Sequence, residues 1–77
     1  MNSAVEQLED ALGRAREAGY QVRFEYFGGT GGGICEFAGR KVLFVDLALS
    51  TLEQLERVQA DFQKSGISLN QPRNKVA

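Results

Sequence analysis

Residues 28–46 read GGTGGGICEFAGRKVLFVD, and how this stretch is divided decides the fold. Five of the nine glycines fall in its first six residues, followed by the single cysteine and the most apolar strand candidate of the chain. Ile34-Cys35-Glu36-Phe37 and Arg40-Lys41-Val42-Leu43-Phe44-Val45 read as two strands, rich in β-branched and aromatic side chains. Ala38-Gly39 between them is a two-residue hairpin connection, which sets Glu36 opposite Lys41 as an attractive cross-strand pair. That register puts Cys35, Phe37, Val42 and Phe44 on one face and Ile34, Leu43 and Val45 on the other. A slip of one residue would exchange the faces.

Upstream, residues 20–26 alternate strictly: Tyr20, Val22, Phe24 and Tyr26 share one face, and Gln21, Arg23 and Glu25 the other. Before them, Ser3-Ala4-Val5-Glu6 is a capping box, followed by Val5, Leu8, Leu12 and Ala15 at helical spacing with Ala4, Ala11 and Ala18 beside them. This predicts a helix over 4–18, stopped by Gly19, with Asp10 and Arg14 paired on its polar side. Gly13 inside it costs about 1 kcal/mol against Ala and would suit a point of close packing. Downstream, Ser50-Thr51-Leu52-Glu53 is a second capping box. Leu52, Leu55, Val58 and Phe62 then form an apolar stripe up to about residue 65, with Gly66 as the stop. Ile67 and Leu69 are expected to fold back onto the core.

The order α-β-β-β-α with short connections predicts an α+β domain of two layers, a three-stranded antiparallel meander covered by two amphipathic helices. It occupies residues 1–69, and the polar segment 70–77, interrupted by Pro72, reads as a frayed tail. If the helices cover the Cys35/Phe37/Val42/Phe44 face, then Ile34, Leu43 and Val45 are left outside. They become the candidate interface for a homodimer or another protein partner. A chain of 77 residues without a disulfide framework has few other ways to reinforce a small core.

Composition excludes several function classes. The net charge is −1, distributed as −2 over residues 1–19, zero over 20–46, −2 over 47–61 and +3 over 62–77. Three cations in a tail are too sparse for a nucleic-acid arm, so no nucleic acid is expected. No apolar run reaches the ~18 residues of a membrane span and no signal-like segment opens the chain, so a cytoplasmic protein with no membrane partner is expected. The absence of histidine removes the commonest general base and transition-metal ligand, and with them Ser-His and Cys-His mechanisms.

The glycine run is the first candidate site, because consecutive backbone amides form anion-binding nests. Gly28, Gly29, Gly31, Gly32 and Gly33 would be the ligand loop. A P-loop reading requires Lys and Ser/Thr where Ile34 and Cys35 stand, and a dinucleotide fingerprint from Gly29 requires glycine at Ile34. Both also need a helix to follow, and here a strand does. Cys35 has no group nearby to stabilise a thiolate and reads as a small buried hydrophobe instead of a nucleophile. Glu25, Glu36 and Asp46 lie in strand segments without Ca²⁺-loop spacing, and Asp46 is placed to end its strand and shape the turn into Leu47. The aromatics Phe24, Tyr26, Phe27, Phe37 and Phe44 invite comparison with an RNA-stacking sheet, but the segment is neutral and lacks that signature, so core packing is expected.

GRKVLFVDLALSTLEQLERVQADF resembles, in hydrophobic pattern only, the strand-then-helix entry of small zinc metallopeptidases of the immunity-regulator type. Val58-Gln59-Ala60-Asp61-Phe62 stands where their HExxH would be, so the resemblance implies shape and no zinc chemistry. Gly32-Gly33-Ile34-Cys35, then Gly39 and an apolar strand ending at Asp46, resembles short uncharacterised bacterial proteins over about residues 20–65. That resemblance implies the fold and no activity. The expectation is therefore a non-enzymatic, protein-interacting or homo-oligomerising domain with no cofactor and no catalytic residue. A ligand module at the glycine loop and a thiol-dependent enzyme at Cys35 are the alternatives.

Overall fold

The computed structural model describes residues 3–30 and 32–65. Gly31, Gly66, Ile67, Leu69 and the tail 70–77 lie outside the described residues, and with them the expected helix stop, fold-back and fraying. Helix α1 spans Ala4–Glu17. The Ser3 hydroxyl accepts the Glu6 amide and the Glu6 carboxylate accepts the Ser3 amide, so both halves of the capping box form. Gly19, at φ +95°, turns the chain into β1, Tyr20–Glu25. Helix α2, Thr51–Ser65, opens with the same device at Ser50 and Glu53.

Strands β2, Gly32–Phe37, and β3, Arg40–Asp46, pair antiparallel with Glu36 opposite Lys41 and Ile34 opposite Leu43. Their connection has positive φ at both Ala38 (52°) and Gly39 (76°), which matches the right-handed twist of the two strands. Here the expected register holds.

The meander does not. The sheet order is β1-β3-β2, and β1 lies parallel to β3, so the sheet is mixed. Parallel neighbours need a crossover of a dozen residues or more. The segment 26–39 supplies it: the chain leaves β1, passes over the end of β3, descends as β2 and returns through the hairpin. The middle strand in sequence is thus an edge strand in space.

The choice of covered face also differs from the expectation. Both helices pack on the face that carries Ile34, Leu43 and Val45, and among the described residues the other face has no helix. Leu8, Ala11, Leu12 and Ala15 of α1 meet Leu55, Val58 and Phe62 of α2 over Leu43 and Val45, with Tyr20, Val22 and Ile34 at the margin. The parallel register explains this, because it aligns Val22 with Leu43 and Phe24 with Val45. The apolar face of β1 therefore joins the apolar side of β3 that faces the helices. Tyr20 stacks obliquely on Phe62 at 6.0 Å between ring centres, and the Lys41 ammonium lies 5.4 Å above the Tyr20 ring. Val5, Phe24 and Leu52, all assigned to apolar faces by periodicity, are exposed.

Candidate functional site

The glycine run is held from below by Asp46. This residue ends the central strand with only 1% of its surface exposed, and its carboxylate collects backbone amides from both sides. The Phe27 amide donates to Oδ1 at 3.0 Å, the Gly29 amide to Oδ2 at 2.8 Å, and the Ala48 amide to Oδ1 at 2.9 Å. Its carbonyl accepts the side-chain amide of Gln54 at 3.1 Å, which ties the start of α2 to the same point. The loop itself turns at Gly28 and Gly29, both at positive φ, and Thr30 closes it through its hydroxyl and amide on the Phe27 carbonyl. The amide of Gly29, within the run, and that of Phe27, just before it, thus point at a carboxylate of the same chain.

Gly32 has a different role. A Cβ there would stand 2.5 Å from the Phe44 carbonyl oxygen, at φ +87°, so the chain can cross close to β3 only with glycine at this position. Beside it, Gly33 faces Asp61 of α2: a Cβ on Gly33 would lie 3.9 Å from Asp61 Oδ2. Asp61 is 8% exposed, Arg57 Nε lies 3.5 Å from its Oδ1, and its Oδ2 has no hydrogen-bond partner. Burial pushes its carboxyl above the ordinary value, against the opposing pull of Arg57 and Lys64.

The uncovered face carries the remaining candidates. Cys35, expected to be buried, is exposed. It lies on an edge strand and on the side without helices, and both conditions follow from the mixed topology. In register across this face stand Gln21, Val42 and Cys35, then Arg23 and Phe44, with Phe37 opposite Arg40 at the hairpin end; Gly33 pairs with Phe44, but at φ +119° its Cβ direction is turned to α2. Val42 is buried even here, on the central strand between its neighbours. Phe27 comes down from the glycine loop onto Phe44, edge to face at 5.7 Å. Phe37 remains 58% exposed. Arg23 and Glu25 form an ion pair at 3.1 Å along the β1 side.

The candidate interface of Ile34, Leu43 and Val45 is therefore core: Leu43 is 0% and Val45 2% exposed, and Ile34 packs at the margin. Glu25 and Asp46 are in-register neighbours, but one is paired to Arg23 and the other to amides, while Glu36 stands near the opposite end of the sheet. Among the described residues, no group of three or more His, Cys, Asp or Glu could hold a metal ion, and no helix is long and apolar enough to cross a membrane.

Sequence reasoning missed Asp46 as the organiser of the loop and Asp61 as a buried acid. A carboxylate closing an apolar strand, with a glycine-rich segment elsewhere that needs its amides satisfied, was the available signal for the first. For Asp61 the i,i+3/i+4 spacing from Val58 to Phe62 places position 61 beside the stripe, which is a weaker signal. No family model, no curated protein and no solved structure matches the chain.

Proposed function

We propose that this chain is a small non-enzymatic association domain that joins a second copy of itself through its sheet, which the helices leave open along one face and at the β2 edge. The observation that carries this reading is the open side of the sheet: Phe37, Cys35, Phe44 and Phe27 line the side on which, among the described residues, no helix packs, and β2 is the sheet's edge. A large aromatic side chain offers about 150–250 Å². Removing the exposed part of Phe37 from water would be worth about 2–3 kcal/mol per copy at ~25 cal/mol per Å². Two such contributions offset only part of the roughly 4–15 kcal/mol that association costs, so the complex depends on further backbone or apolar contacts and dissociates readily. On this face Arg23 is paired with Glu25, and Arg40 stands opposite Phe37 at the hairpin end.

Sedimentation equilibrium of the wild type and of Phe37→Glu tests the reading. The wild type is expected to move from one subunit to two across the micromolar range. Phe37→Glu is expected to stay at one subunit while keeping its circular dichroism spectrum, because the ring lies outside the core. A wild-type mass of one subunit at every concentration would refute self-association.

A further inference from the structure

We propose that the two copies join edge to edge through β2, antiparallel, forming a continuous six-stranded sheet with its two-fold axis at Cys35. This rests on the association reading above and names the strand and register that would carry it.

Among the described residues, strand β2 is hydrogen-bonded to a neighbour on one side only, and residues 35–37 are exposed. Edge strands are normally protected by proline, lysine, inward charges or a covering element. Gly32–Phe37 holds no proline or lysine, and its single charge is Glu36. The other edge is better defended, with Arg23 and Glu25 along β1 and α1 packed against that strand.

The register follows from symmetry and side-chain chemistry. A two-fold axis perpendicular to the sheet keeps all helices on one side, so directly opposed residues must share a face and cannot be offset by one. Centring on Glu36 would set two carboxylates opposite each other, which is unfavourable. Centring on Ile34 leaves Phe37 beyond the strand of the second copy. Centring on Cys35 sets Phe37 over Gly33 of the second copy, twice by symmetry. An exposed ring then lies over the backbone of a residue without a side chain, whose Cβ direction is turned to Asp61 on the helix side. Glu36 falls opposite Ile34, away from its own copy. The open faces then form one continuous surface.

Cys35 is the sole cysteine, so the wild-type chain contains its own probe. Directly opposed residues in an antiparallel pair have Cα atoms about 4.5–5.5 Å apart, within the range a disulfide spans. Diamide is the oxidant: two thiols release two protons and two electrons to it, giving one Cys35–Cys35 bond and the reduced hydrazine. At concentrations where sedimentation shows two subunits, a covalent dimer is expected at least tenfold faster than in the urea-unfolded chain. Phe37→Ala is expected to weaken both dimerisation and cross-linking by tenfold or more. A sedimenting dimer whose Cys35 cross-links no faster than the unfolded chain overturns the β2 edge and leaves association through the open face or β1. A single-subunit mass throughout overturns both readings.

Discussion

Asp46→Asn probes how the crossing loop is held, and the structure sets its size. Three backbone amides at 2.8–3.0 Å converge on a carboxylate with 1% exposure. Hydrogen bonds to a charged group are worth about 1.5–3 kcal/mol each, and a buried donor left without a partner costs about as much. Asparagine retains one oxygen, which can keep the Phe27 and Ala48 amides that share Oδ1. Its amide nitrogen replaces Oδ2 and meets the Gly29 amide donor to donor. The expected loss is about 2–3 kcal/mol for Asp46→Asn and about 3–5 kcal/mol for Asp46→Ala, which frees all three amides. A chain of this length has roughly 4–12 kcal/mol in total, so the alanine variant should be close to unfolded. Urea titration followed by circular dichroism measures the loss, and amide hydrogen exchange locates it. Gly29 should exchange slowly in the wild type and fast in Asp46→Asn, with Ala48 changing less. Glu25→Gln, at the in-register neighbour on the same face, is the control and should stay within about 0.5 kcal/mol. If Asp46→Asn keeps the wild-type midpoint and Gly29 exchange is unchanged, the carboxylate does not hold the loop.

Leu43→Lys should give an unfolded chain, because it places an ammonium in a site with 0% exposure and removes a side chain whose loss alone costs about 2–5 kcal/mol; circular dichroism and urea titration check this. Ala38→Asn should stabilise by about 1 kcal/mol in the same titration, since Ala38 sits at φ +52° in a turn where asparagine is favoured. Gly13→Ala should stabilise by a similar ~1 kcal/mol, because a Cβ there meets nothing within 4 Å and the expected close packing is absent. Asp61 has a folded-state pKa above its ordinary 3.8, so the stability it confers is fully present below pH 3.8 and is lost as pH rises through the folded-state value. Asp61→Asn should flatten that part of the pH–stability curve, with its largest advantage over wild type near neutrality; an unchanged pH dependence would show that Asp61 does not titrate in this way.

Much of the local structure was legible because its causes lie within a few residues. Ser3/Glu6 and Ser50/Glu53 mark the helix starts, Gly19 marks a stop, and Ala38-Gly39 sets the Glu36–Lys41 register. Cys35 was misjudged for a different reason. Its burial depended on which layer covered its face, and the cysteine carries no information about that. The candidate interface failed together with it, since Ile34, Leu43 and Val45 exchange roles with Cys35, Phe37 and Phe44 when the helices change sides.

By itself the sequence determined two capped amphipathic helices, three strands, one tight hairpin and two sets of side chains on opposite faces of β2 and β3. Caps, positive-φ turns and alternation are short-range, and neighbouring residues are enough to specify them. The tertiary structure alone decided the strand order and the covered face. Strand order depends on the crossing segment finding Asp46 across 17 to 19 residues of chain, a contact no local pattern contains. The face was undecided because Val42 and Phe44 on one side of β3 are as apolar as Leu43 and Val45 on the other. Only the parallel docking of β1, which adds Tyr20 and Val22 to the second set, makes that side the larger apolar surface and draws both helices onto it.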